Sequence, residues 1–392
     1  MVVATVLTLG VAGAASMFMA WSIGAGSSGS TPFAPAVGAN AISVMRAGLV
    51  VGVLGLLGAM LQGANVTEAV GTELIGGVTL TAGAAIVALV TAAGLVALGV
   101  FAGYPIATAF TVTGAVVGVG LAMGGDPAWA KYREIVTLWV LTPFVGGGIA
   151  YAVARSLIGD RLPQRPLTAG LAGLVGAIVA NVGFALLGPP GEQASLSEAL
   201  GPELGIGSVG TPLVTAAVAA IVAVAVYLDL GRDKEGAQRR FLLAMGGLVA
   251  FSAGGSQVGL AIGPLVPLFV GEAGIPLWAL LVGGGVGLLA GSWTGAPRMI
   301  KAISQDYASM GPRRSISALI PSFAIAQTAV AFGIPVSFNE IIVSAIVGAG
   351  YAAGDAGVSR AKMGYTVFAW IGSLVGSLAL GYGVYSAVQF VL

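Results

Sequence analysis

Apolar runs of about 20 residues, the length a helix needs to cross the hydrocarbon layer, follow one another along the whole chain. Short polar or Gly/Pro-rich breaks part them. The runs fall near 1–22, 43–63, 75–102, 104–121, 134–154, 166–188, 207–229, 241–258, 275–295, 316–332, 334–350 and 364–391, about twelve spans in all. This pattern predicts an all-α polytopic membrane protein. The runs at 104–121 and 334–350 are short and open at Pro105 and Pro335, so tilted, broken or re-entrant helices are expected there.

Those two runs are also alike. Gly103, Pro105, Ala115, Val117, Gly118 and Gly120 recur as Gly333, Pro335, Ala345, Val347, Gly348 and Gly350. At nearly the same offset, the small, polar and helix-breaking stretch 24–36 recurs as 254–265. Matching Gly/Pro/Ser interruptions in two halves of a membrane chain mark a transporter with inverted-topology repeats and a site near the bilayer midplane. The division expected is a first repeat over 1–154, with its broken helix near 24–35. Connecting spans and a basic cytoplasmic loop occupy 155–240, and a second repeat covers 241–392, with its broken segment near 254–265.

Loop charge sets the orientation. With the N-terminus outside, fourteen of the 16 Lys and Arg residues lie on the cytoplasmic side. They include Arg46, Arg155, Arg161, Arg165, the Arg232–Arg240 cluster, Arg298 and Lys362, and only Lys131 and Arg133 fall outside, a bias that follows the positive-inside rule. Seven spans separate the two breaks, an odd number, so the two copies point in opposite directions. The chain is read as a multi-pass protein of the cell membrane, in contact with lipid.

Composition narrows the chemistry. The chain is 57% hydrophobic and 8% charged, with 64 glycines, which fits closely packed membrane helices. A net charge of +1 offers no basic face for nucleic acid. Cysteine and histidine are absent, which removes thiolate and imidazole metal ligands and any imidazole proton relay; no metal site is expected, and no cofactor. Paired carboxylates are missing as well, so an enzyme has few players and none is expected. No phosphate-binding loop of an ATP-driven pump is present.

The polar residues inside the breaks are the candidate site. No continuous helix is expected through 25–35, where Gly26, Gly29, Pro32 and Pro35 crowd together. A helix restarting there presents free N–H groups to an anion, and Ser27, Ser28, Ser30 and Thr31 add hydroxyl donors. The second copy offers Ser256 and Gln257. The other repeat pair adds Thr108, Ser337 and Asn339. Glu340 lies inside an apolar run, where a carboxylate is costly unless paired or protonated, and is the candidate that couples transport to a cation. Asn181 and Gln327 are read as amides bonding one helix to another.

At these segments the chain resembles the inorganic phosphate transporter (PiT) family, which repeats a Gly-Ala-Asn-Asp-Val-Ala-Asn-Ala motif and a Pro-Val-Ser-Thr-Thr-His motif once in each half. Residues 250–265, ending Ala-Ile-Gly-Pro-Leu, keep the frame of the second copy of the first motif; Ser22, Ile23, Gly24 and Ala25, then Phe33, Val37 and Gly38, keep that of the first copy. Gly333-Ile-Pro-Val-Ser337 fits the other motif. The polar signature differs. Asn-Asp of the second copy is Ser256-Gln257, and Thr-Thr-His becomes Thr108-Ala109-Phe110 in one half and Phe338-Asn339-Glu340 in the other. The resemblance implies a permease for inorganic phosphate, coupled to sodium in the family, and a homodimer. The acids associated with sodium are missing here, so a proton, or no coupling ion, competes with sodium.

Substrate chemistry leaves two oxyanions. Phosphate carries a proton near neutral pH, which an acceptor in the site can select, whereas sulfate wants donors alone. The family resemblance favours phosphate; a site of hydroxyls and backbone N–H groups leans towards sulfate. Phosphate is the leading expectation, sulfate or another oxyanion the alternative, and a non-transporting membrane sensor or scaffold the alternative of another class.

Overall fold

The computed structural model describes residues 2–159, 162–189, 192–354 and 358–391; Arg161, counted above in the loop charge, lies outside them. Sixteen α-helices are described. The first stretch holds α1 (Val2–Ile23), α2 (Ala34–Gly38), α3 (Val44–Gln62), α4 (Ala64–Thr72), α5 (Ala82–Ala102), α6 (Thr108–Ala122) and α7 (Trp129–Ile158). Then come α8 (Gln164–Ala180), α9 (Leu196–Leu200) and α10 (Gly210–Arg232). The last stretch holds α11 (Lys234–Ile262), α12 (Leu277–Thr294), α13 (Ala296–Asp306), α14 (Pro312–Ala331), α15 (Phe338–Tyr351) and α16 (Arg360–Val391). Two short antiparallel ladders, Ile75–Gly76 with Asp126–Pro127 and Gly183–Phe184 with Ala194–Ser195, tie loops together at helix ends.

Each of the twelve expected runs contains a helix. Eight helices of the described residues are long and apolar enough to cross a membrane. The other four runs hold α6, α8, α14 and α15. At about 1.5 Å per residue the 15 residues of α6 and the 14 of α15 reach little more than ~20 Å, short of the roughly 30 Å hydrocarbon layer. Each follows an extended stretch opened by a left-handed glycine, Gly103 (φ 73°) or Gly333 (φ 61°).

Polarity is distributed inside out, as lipid solvent demands. Phe144, Leu98, Trp278 and Phe368 are exposed, while Ser27, Thr108, Ser256, Gln257, Ser337 and Asn339 are fully buried. Short helices from one end of the chain lean on long helices from the other. α6 packs along α16, and α15 packs along α7.

The two expected breaks differ. After α1 the chain widens into a π-turn over Gly24–Ser28, passes through turns, and restarts as α2, so the first break is there. The second was expected to begin at Gly254, but α11 runs unbroken through Gly254, Gly255, Ser256 and Gln257 and ends only at Ile262, before Pro264. The physical reason is packing. Glycine weakens a helix in water, but here it lets backbones touch: a Cβ at Gly254 would run into the Gly55 carbonyl oxygen, and one at Gly24 into that of Leu288. Proline, which removes a donor and clashes with the preceding turn, is what ends the helix.

Candidate functional site

Four segments meet at a buried polar centre, and two amide side chains tie them. Gln257, on α11, accepts hydrogen bonds at Oε1 from the Thr108 hydroxyl (2.8 Å) and the Ser27 hydroxyl (3.1 Å). Its Nε2 donates to the Val336 carbonyl oxygen at 2.5 Å. Asn339, near the start of α15, donates through Nδ2 to the carbonyl oxygens of Gly26 (2.9 Å) and Ile106 (2.6 Å). Gln257 therefore joins the π-turn after α1, the start of α6 and the strand-like entry to α15. Asn339 joins α15 to the π-turn and to the entry of α6. The clamp brings the N-terminal ends of α6 and α15 to one place, each with the unpaired N–H groups of a helix's first turn.

Two indoles brace the same entries from outside. Trp139 on α7 donates to the Pro335 carbonyl oxygen at 2.9 Å, and Trp370 on α16 donates to that of Pro105 at 2.8 Å. Trp139 also stacks on Phe110, ring centroids 3.9 Å apart.

Around the clamp several buried polar atoms have no hydrogen-bond partner among the described residues: the hydroxyls of Ser28, Ser256 and Ser337, Asn339 Oδ1 and Glu340 Oε2. All five residues are at most 2% exposed. An unsatisfied buried polar atom is costly, so free polar atoms on residues within two positions of the clamp suit a place that meets a polar ligand. Three hydroxyls that can donate, beside two helix starts, suit an oxyanion.

The residues singled out from sequence thus separate into three groups. Ser27, Thr108, Gln257 and Asn339 form the clamp. Ser28, Ser256, Ser337 and Glu340 supply free polar atoms beside it. The hydroxyls of Ser30 and Thr31 turn back to donate to the Ser27 carbonyl oxygen, at 3.2 and 3.0 Å, so these two close their own turn. The anion-binding helix start expected at the first break is corrected as well: α2 is five residues long with proline in its first turn, and the helices of more than two turns that begin at the centre are α6 and α15. Glu340 is the one buried charged residue among those described, with no buried Lys or Arg to answer it.

Sequence reading missed Trp139 and Trp370, although they recur at the repeat offset. It also missed Gln62, which exchanges amide hydrogen bonds with Gln327 at 3.3 and 3.2 Å, while Gln327 donates to Ser252 at 2.6 Å. Asn181 bonds Thr215 and Ser197, the interhelical role expected of it. Gln62, Gln327 and Asn181 line a cavity of about 650 Å³ where α3, α8 and α14 end.

Fold and centre together define a polytopic membrane transport protein. The model of the phosphate transporter family matches residues 23–381. A provisionally named phosphate permease of Thermococcus kodakarensis is 26% identical over 387 residues, covering 90% of each chain. The chloroplastic inorganic phosphate transporter 2-1 of Arabidopsis thaliana is 24% identical, covering 90% of this chain and 68% of its own. A solved structure of a protein described as the sodium-dependent phosphate transporter shares the fold, with a TM-score of 0.82 at 22% identity over 98% of this chain and all of that one. The chain belongs to the phosphate transporter family.

Proposed function

We propose that this permease carries inorganic phosphate by alternating access between two repeats of opposite orientation, residues 1–154 and 241–392, and that Glu340 carries a proton with it. The observation that carries the reading is the crossed clamp, in which Gln257 and Asn339 hold the first break and the entries of α6 and α15 together, with free polar atoms on neighbouring residues. The paired indole bonds support the repeats: Pro335 follows Pro105 by 230 positions and Trp370 follows Trp139 by 231, and each indole holds the other half's proline. So do the paired close approaches, where a Cβ at Gly118 would meet the Leu378 carbonyl and one at Gly348 that of Gly147. Short α6 and α15 support helices that stop at the midplane. A homodimer, implied by family, would find its face on α10, of which only Gly210, Val214 and Leu230 are buried.

A buried carboxylate without a cationic neighbour calls for a cation in exchange for lost hydration. We assign a proton rather than sodium. Carbonyl oxygens at the breaks, the natural ligands of a hard cation, are already occupied: Gly26 and Ile106 by Asn339, Val336 by Gln257. The test is phosphate uptake by Glu340→Gln in proteoliposomes. Loss of stimulation by an acid exterior, with phosphate exchange retained, is expected; undiminished stimulation removes Glu340 from the coupling step.

A further inference from the structure

The Asn339 amide is held in one orientation. Both of its donor hydrogens are used, on Gly26 and Ile106, and exchanging Oδ1 with Nδ2 would set an oxygen against two carbonyl oxygens at 2.9 and 2.6 Å. Oδ1 is left as an atom that can only accept, and it has no protein partner in a residue that is 0% exposed. Glu340 Oε2 is the other free atom of the centre that accepts when its carboxyl is ionised, and it can donate when protonated; the three hydroxyls are of a different kind. Ser28 lies two residues after Gly26, Ser337 two before Asn339, and Ser256 adjoins Gln257; their hydroxyls can donate or accept as a ligand requires.

A tetrahedral anion bearing one O–H group satisfies such a set. Its bare oxygens accept from the hydroxyls, and its own hydrogen goes to Asn339 Oδ1. An anion with four bare oxygens cannot, because one of them would face a fixed acceptor. Leaving a buried acceptor unmet, against an anion, is the kind of mismatch by which sites reject an analogue lacking a single hydrogen.

We infer that Asn339 is a specificity-determining residue that selects protonated tetrahedral oxyanions, phosphate and arsenate, over fully deprotonated ones such as sulfate. The inference rests on the reading above that phosphate occupies this centre, and it adds the atom that decides between the two candidate anions.

Competition against labelled phosphate uptake in proteoliposomes tests it, with unlabelled phosphate, arsenate, sulfate and monofluorophosphate as competitors. Monofluorophosphate matches the dianion of phosphate in shape and charge but has no hydrogen to give. Arsenate is expected to compete like phosphate, and sulfate and monofluorophosphate at least about tenfold more weakly, the effect of roughly one hydrogen bond. In Asn339→Thr, whose hydroxyl can donate as well as accept, the two deprotonated anions are expected to approach phosphate. Equal competition by all four in the unmodified chain overturns the inference, as does unchanged discrimination in a folded Asn339→Thr. Should that variant not fold, the competitor series on the unmodified chain still decides. Failure of the unmodified chain to take up phosphate at all is a different outcome: it overturns the phosphate reading itself, and the selection with it.

Discussion

The Trp139 indole N–H donates to the Pro335 carbonyl oxygen at 2.9 Å, across a sequence separation of 196 residues, and so fixes the entry of α15 from a helix of the opposite half. Trp370 does the same for Pro105 at the entry of α6. Each carbonyl lies in the extended entry ahead of the first helical bonds, Thr111 N–H to Ala107 and Ile341 N–H to Ser337, and takes a side chain as its partner. Trp139→Phe keeps an aromatic ring on Phe110 and removes the donor. Interhelical bonds of this sort contribute about 0.6 kcal/mol on average and up to ~1.7. A modest fall in thermal stability is expected for each single Trp→Phe variant and a larger one for the pair, measured by melting in detergent. A pair that melts with the unmodified chain would show the braces to be idle.

Gln257 has more to lose. Gln257→Leu leaves the Val336 carbonyl without its partner and the Ser27 and Thr108 hydroxyls with only their long 3.4 Å bond to each other, and a buried group left alone costs about 1–3 kcal/mol. Phosphate uptake is expected to drop by more than about tenfold, which a shift of only ~1.4 kcal/mol would bring. Uptake at the unmodified rate would mean that the clamp does not shape the centre.

Glycine substitutions separate packing from propensity. Gly254→Ala drives a methyl group into the Gly55 carbonyl, and Gly24→Ala drives one into that of Leu288; overpacking of this kind costs about 1–3 kcal/mol or more. Gly94, within α5, has open space beside it, and Gly94→Ala is expected to be neutral or mildly stabilising, by up to ~1 kcal/mol. Expression and melting temperature should rank the three accordingly. A tolerated Gly254→Ala would contradict the close approach of α3 and α11.

The chain contains no cysteine, so single cysteines report sidedness without background. Gln193→Cys, beside the cavity at the ends of α3, α8 and α14, is expected to react with an impermeant maleimide added to intact cells. Lys234→Cys, at the start of α11, is expected to react only after the membrane is opened. The opposite pattern would reverse the orientation drawn from loop charge.

What could be read from sequence follows from what each signal encodes. Apolar runs place helices well, because lipid leaves few alternatives, and the glycine–proline frame shared by 103–120 and 333–350 located α6 and α15. The same signal misled at Gly254, since glycine alone does not say whether a backbone bends or is approached by another backbone. Ser27, Gln257, Thr108 and Asn339 were singled out individually, but that two amides clamp four segments depends on contacts hundreds of residues apart. The use of Ser30 and Thr31 hydroxyls within their own turn was equally invisible, because a hydroxyl's direction is decided by local backbone geometry.

The most direct test is labelled phosphate uptake by the purified chain in proteoliposomes, with sodium replaced by potassium and the pH gradient set independently. The account predicts saturable uptake that an acid exterior drives and that removal of sodium leaves unchanged. Uptake that requires a sodium gradient would contradict the coupling assigned to Glu340, and no uptake beyond that of empty vesicles would contradict the permease itself.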